Sequence, residues 1–189
     1  SVFEYQRALL LDPMNYQARR EAVMNQMEQG SIAVLYSGIE VHVCADEYAK
    51  FEANRNFFYL TGLRRENMAL VMDKAVKPAK VTLFIEEADP TKERWYGRKV
   101  TVAEAKEISG IQVTVEEAKA ITGIENIQMI DSLEAVMNMK LTREDVTAVY
   151  FDTYRHAKSD LPDYNLVMAK EFAAAYPGTP VKNLFPLVA

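Results

Sequence analysis

Short runs of aliphatic and β-branched residues alternate along this chain with stretches that open on helix-capping residues and close on glycine. That alternation confines the fold to an α/β arrangement. Strands are expected at Ile32–Tyr36, Glu40–Cys44, Phe57–Leu60, Met68–Met72, Lys80–Ile85, Ile127–Ile130 and Val146–Phe151. Asp12-Pro13 supplies an N-cap and a first-turn proline for a helix in which Tyr16, Val23, Met24 and Met27 recur near helical period and Gly30 is the stop. Thr101 with Glu104, Thr114 with Glu117 and, more loosely, Asp131 with Glu134 have capping-box spacing, and Gly110 and Gly123 close the first two helices. A last helix is expected over Asp163–Tyr176, ended by Pro177-Gly178. No repeat, low-complexity segment or linker interrupts the series, so residues 1–189 read as one domain.

Bulk properties narrow the partners. The chain has 189 residues, 49% hydrophobic and 26% charged, which suffices for a sizeable core. Its net charge of -5 argues against nucleic-acid and membrane partners, which favour a basic face. The single cysteine, Cys44, excludes an internal disulfide, and no apolar run is long enough to span a bilayer. A cytoplasmic location is the expectation.

The densest stretch is Asp46–Gly62. Asn56-Phe57-Phe58-Tyr59-Leu60-Thr61-Gly62 reads as a short buried strand that ends in a turn asking for positive φ at glycine. Before it, Phe51, Asn54, Arg55 and Asn56 mix a ring with amide and guanidinium donors. This segment resembles the amino-terminal domain of the creatinase / Xaa-Pro aminopeptidase / prolidase family, in which an F-x-Q-N-x-x-F-x-Y-L-T-G signature precedes an A-L-x-V strand. Arg19-Arg20 in an early helix, the strand from Gly30 to Leu35, Val81–Ile85, and Glu93-Arg94-Trp95-Tyr96-Gly97-Arg98, which is similar to the family's W-x-G-[RK] loop, extend the likeness over Tyr16–Gly110. Glu52-Ala53 departs from the signature, so the role of the family's glutamine does not carry over.

The resemblance implies a single three-layer α/β domain, with a mixed sheet and helices on both faces, of ribonuclease H-like type. It also implies a parent with a catalytic "pita-bread" domain that this chain lacks. That domain would hold two divalent metals, manganese or cobalt, on Asp, His and Glu ligands; for this chain itself the expectation is no cofactor and no catalytic residue. The implied role is subunit contact, with a dimer expected, together with shaping a rim that admits short proline-containing peptides and packing against the parent's own catalytic domain. Trp95, Gly97, Arg98 and Arg55 are the candidate rim or interface residues. The tryptophan of the matching loop reaches towards a neighbouring subunit's active site in the family, and plain packing at the edge of the core accounts for Trp95 equally well. The alternative is a peptide- or protein-binding domain of a catalytically inactive relative, as in a histone-chaperone subunit of the same two-domain plan.

Other constellations are explained without chemistry. His42, Cys44 and Asp46 share strand parity and could face one metal, but a half-buried strand with a structural histidine accounts for them more simply. Glu86-Glu87 with Asp89 before Pro90 fits a solvated loop, and Met14, Met24 and Met27 fit core packing. No H-E-x-x-H, nucleophile elbow, phosphate loop or dinucleotide fingerprint occurs. The closing Lys182–Ala189 stretch, apolar and extended by its proline, reads as a segment that continues into a further domain.

Overall fold

The computed structural model describes residues 13–39, 42–44, 47–48, 53–86, 114–143, 145–153 and 163–188. In chain order the elements are α1 (Pro13–Gln26), β1 (Ile32–Tyr36), β2 (His42–Cys44), β3 (Glu47–Tyr48), α2 (Arg55–Thr61), β4 (Ala69–Asp73), β5 (Lys80–Ile85), α3 (Val115–Thr122), β6 (Asn126–Met129), a 3₁₀ turn (Ile130–Ser132), α4 (Leu133–Arg143), β7 (Val149–Phe151), α5 (Tyr164–Ala175), β8 (Val181–Asn183) and α6 (Phe185–Val188).

Six strands form one sheet in the order β6-β5-β4-β1-β7-β8, while β2 and β3 pair separately. β4 runs antiparallel to β1 and β5, and the β5–β6, β1–β7 and β7–β8 pairs are parallel. Five strands therefore end at one edge of the sheet. Side chains alternate between the faces, as strand geometry requires. Ala33, Leu35, Leu70, Met72, Leu83, Ile85 and Tyr150 pack with α1, α2 and α3 on one side. Ile32, Val34, Ala69, Val71, Phe84, Val149 and Phe151 pack with α4 and α5 on the other. The domain is a three-layer α/β structure with a mixed sheet.

A repeated device ends α2 and α3. Each finishes in Thr-Gly: Thr61 and Thr122 bond their hydroxyls to the carbonyls of Phe57 and Ala118 at 2.7 Å. The same hydroxyl oxygens accept the amides of Leu63 and Ile124, at 3.2 and 3.1 Å. Gly62 and Gly123 take left-handed φ of 78° and 72°, where a side chain would be strained. Gly62 has a second reason to be glycine, since a Cβ there would stand 2.7 Å from the Tyr16 ring.

One side chain joins the two ends. Arg20 is buried on the apolar face of α1, in register with Tyr16, Val23 and Met27. Its guanidinium donates to the carbonyl of Leu60 at 2.8 Å and to that of Thr122 at 2.9 Å. Last-turn carbonyls have no partner within their own helix, so a cation there satisfies both the hydrogen bond and the negative end of each helix dipole. Arg19 treats the Tyr59 carbonyl the same way at 3.0 Å, and Lys74 caps α1 through Met24 and Met27 at 2.6 and 2.9 Å. Burial pulls Arg20 down to about 10, and it stays charged at neutral pH.

Three expectations need correction. Phe57–Leu60 is helical, because the Asn54 side chain caps the Phe57 amide and Phe57, Leu60 and Thr61 are buried at helical spacing. The helix expected from Asp131 starts at Leu133, with Asp131 inside the 3₁₀ turn. The terminal stretch is helical around its proline and not extended by it: Val181–Asn183 pairs with β7, Leu184 is buried, and Pro186 sits in the first turn of α6, where its missing N–H costs nothing. The capping helix expected at Thr101–Gly110 lies outside the described residues, as do Glu87 and Asp89.

Removing the shared donor tests this frame. Charged hydrogen bonds contribute about 1.5–3 kcal/mol each, partly offset by desolvation of the guanidinium. Arg20→Ala should therefore cost about 3 kcal/mol, read as a lowered urea midpoint, and Arg20→Lys, which reaches one carbonyl, about half that.

Candidate functional site

Polar side chains gather where β1 and β7 end. Asp152, fully buried just past β7, accepts the side-chain amides of Asn54 and Asn56 on one oxygen, each at 3.1 Å. Asn54 also accepts the Phe57 amide at 3.0 Å and donates its own backbone N–H to Ser37 at 3.0 Å. Ser37 in turn donates its backbone N–H to the Met68 carbonyl and receives the Met68 amide on its hydroxyl. Asn165 is the strand-like partner of Tyr36: its Oδ1 accepts the Tyr36 N–H at 2.8 Å and its Nδ2 donates to the Tyr36 carbonyl at 2.9 Å. The start of α2 and the start of α5 are thus tied to the carboxyl ends of the central strands.

Three long segments of chain leave from this edge. Residues 40–52 lie between the end of β1 and α2, 87–113 between the end of β5 and α3, and 154–162 between the end of β7 and α5. Loops at the carboxyl ends of parallel strands are where α/β proteins build their ligand sites. Trp95, Gly97 and Arg98 belong to the second segment and lie outside the described residues. Arg55 is described: it stands exposed between the two asparagines that Asp152 holds. A carboxylate fastened on both sides of it fixes the backbone from which its guanidinium projects.

Arginine also meets aromatic rings on the outer surface of α2. The Arg19 guanidinium lies 4.2 Å from the Tyr59 ring centre and 5.3 Å from that of Tyr16, and Arg64 lies 4.2 Å from Phe58. Such contacts hold a planar cation in one orientation. On the opposite face of the sheet Tyr36 meets Tyr164 edge-on at 5.3 Å. Burial raises the Tyr36 hydroxyl well above its ordinary value, helped by Tyr164 and Glu171, and burial raises Tyr164 too.

A groove of ≈ 420 Å³ lies elsewhere, between α1, the end of α3 and the starts of β5 and β6, with Gln17, Arg20, Glu21, Lys80 and Asn126 among its walls. Its one buried cation is already engaged by two carbonyls. Among the described residues no three His, Cys, Asp or Glu side chains stand together as a metal site requires. Of the strand that suggested a metal face, His42–Cys44 pairs with Glu47–Tyr48, and Asp46 lies outside the described residues. Sequence reasoning overlooked Asp152 and Asn165. Their only signal was an acidic or amide residue at an element boundary, which turns and caps supply everywhere.

Residues 16–116 match the family described as aminopeptidase P, N-terminal domain. Xaa-Pro aminopeptidase of Haemophilus influenzae is 34% identical over 90 residues, 48% of this chain and 21% of that protein. The Xaa-Pro aminopeptidase of Escherichia coli is 33% identical over 97 residues, 51% of this chain and 22% of that protein. A solved Bacillus anthracis structure assigned as an aminopeptidase P superposes with a TM-score of 0.76 at 31% identity, covering 92% of this chain and 38% of that one. Escherichia coli aminopeptidase P has the same fold, with a TM-score of 0.66 at 21% identity over 94% of this chain and 38% of that one. The fold is that of an aminopeptidase P amino-terminal domain. This chain belongs to that family, and the matched part spans about a fifth of its curated relatives.

Two measurements probe the site. Asp152→Ala frees both amides from their acceptor and should lower stability by about 2 kcal/mol, with earlier hydrogen exchange at the Phe57 amide than in the rest of α2. Tyr36 has its folded pKa raised, so its contribution is complete below the unfolded value of about 10 and is lost as pH climbs through the folded one. Thermal melts above about pH 10 should fall for the wild type and fall less for Tyr36→Phe.

Proposed function

We propose that this chain is the amino-terminal, non-catalytic domain of a metal-dependent Xaa-Pro peptidase, and that it serves subunit contact and shapes the mouth through which short proline-containing peptides enter. The observation that carries this reading is family membership over residues 16–116, joined to a superposition that takes up 92% of this chain yet 38% of the Bacillus anthracis one. An Xaa-Pro bond is a tertiary amide with a ring on its nitrogen, so a deep site with a restricted entrance suits its hydrolysis. Rim residues then come from the edge at which β1, β5 and β7 end, where Arg55 is held and where the segment carrying Trp95, Gly97 and Arg98 departs and returns to α3. The two divalent metals, manganese or cobalt, would supply the water-activating chemistry from ligands in the parent's catalytic domain. No described side-chain group of this chain fits them. A cytoplasmic, dimeric parent completes the proposal.

The decisive variant is Trp95→Ala in the full-length protein. An aromatic ring at a substrate mouth contributes a few kcal/mol, so kcat/KM on an Xaa-Pro tripeptide should fall about ten- to a hundredfold while the thermal midpoint holds. Loss of several degrees with normal activity of the folded fraction would instead make Trp95 a packing residue. The 189-residue chain alone should release no proline with manganese present, and proline release by it would defeat the proposed division of labour.

A further inference from the structure

The groove of ≈ 420 Å³ lies where β5 and β6 start, at the edge of the sheet opposite the one that carries Asp152. Arg20 is the unusual member of its wall, a cation only 3% exposed. A guanidinium has five N–H groups. The carbonyls of Leu60 and Thr122 take one from each terminal nitrogen, and the other three meet no acceptor among the described residues. No described carboxylate stands within ion-pair distance of it, and Glu21 acts on it at longer range. A buried donor without an acceptor is costly, so a cation left in this state beside a groove is a place for a ligand oxygen. The other charges on the groove have both signs. Lys80 is the first residue of β5, Glu125 immediately precedes β6, and Glu21 follows Arg20 on α1. All three are exposed and form no ion pair among the described residues.

We infer that this groove binds a small zwitterion of free amino-acid or dipeptide size, with its carboxylate on Arg20 and Lys80 and its ammonium on Glu125 and Glu21. An anion alone would meet two glutamates, and a cation alone would meet Arg20 and Lys80. A molecule carrying both charges satisfies both pairs, and the repulsion excludes the others. Ligand pockets run from about 300 to 1,000 Å³, so this groove suits a ligand at the small end of that range. Met24, Val81 and Ile124 offer apolar surface to its side chain. Two carbonyls already orient the fork of Arg20, so little side-chain freedom is lost when a carboxylate arrives. The same guanidinium ties α2 to α3, and a bound carboxylate gives that junction a third partner. The site is independent of the proposed peptidase role, since every group in it belongs to this chain.

Titration of the 189-residue chain with alanyl-alanine, followed by backbone amide NMR shifts, tests it. Saturable shifts at Lys80, Gly123 and Glu125 are expected with a Kd of about 1 mM, together with a rise in thermal midpoint as the peptide is added. N-acetylated and C-amidated alanyl-alanine each lack one charge and should bind about tenfold more weakly. Lys80→Gln should raise the Kd of the free dipeptide about fivefold and leave that of the amide unchanged. Glu125→Gln should raise it by a similar factor and leave that of the acetylated form unchanged. Both side chains are exposed, so neither change disturbs the core, and Lys170→Gln on α5 serves as the control without effect. Arg20 stays in place throughout, because its loss would undo two helix ends. No saturable shift up to about 20 mM dipeptide overturns the inference. Equal affinity for the acetylated form overturns it by making the groove an anion site, and equal affinity for the amide does so by making it a cation site. Binding unmoved by both groove variants puts the peptide elsewhere and overturns it as well.

Discussion

A buried guanidinium shared between two helix ends organises one whole side of this domain. Arg20 lies where an aliphatic residue would complete the apolar face of α1, and its desolvation is offset by two carbonyls that would otherwise lack donors. Lysine could serve one helix; the fork of arginine serves both. α2 and α3 each stop on threonine followed by left-handed glycine, and one side chain reads a carbonyl from each final turn, that of Leu60 in α2 and that of Thr122 in α3. The layer over the sheet is thereby a unit and not three helices packed independently.

At the other end of α2 the logic is inverted. There the backbone amides need acceptors, and Asn54 and Asp152 supply a neutral cap backed by a buried carboxylate. A seven-residue helix has too few internal bonds to persist alone. Anchors of opposite polarity at its two ends hold it against β1, β7 and α1, and so hold the arginine that it displays.

Much of this was legible in the residues. Ile32–Tyr36 and Lys80–Ile85 are strands with the expected bounds, Thr114 and Gly123 cap α3, and Gly62 adopts positive φ. Phe57–Leu60 misled because four aromatic and aliphatic residues in a row fit a buried strand or one helical turn equally well; the asparagine three residues before Phe57 decides between them, and it does so through a hydrogen bond that composition cannot display. β8 was hidden for a related reason. Three residues after Pro180, two of them polar, carry no period, and only the partner strand β7 gives them a ladder. Arg20 was visible as a charge among Tyr16, Val23 and Met27, yet its partners are 40 and 102 residues away and are backbone atoms of any residue type. Of the candidate rim residues Arg55 alone lies among the described ones, exposed at the start of α2.

The lone reversed strand, β4, has a kinetic consequence. It lies at the centre of the sheet and pairs on both sides with antiparallel neighbours, one of them reached through a short turn from Asp73 to Lys80. Antiparallel pairing with a nearby strand closes a small loop, whereas each parallel pair must wait for a crossover. Assembly should therefore begin with the β4–β5 hairpin, recruit β1, and add β6, β7 and β8 outward. Such an order leaves the Arg20 clamp among the later contacts, because Thr122 belongs to a helix that docks only once the crossover into β6 has formed. The feature that unifies the finished layer would then govern how slowly the domain comes apart more than how quickly it folds.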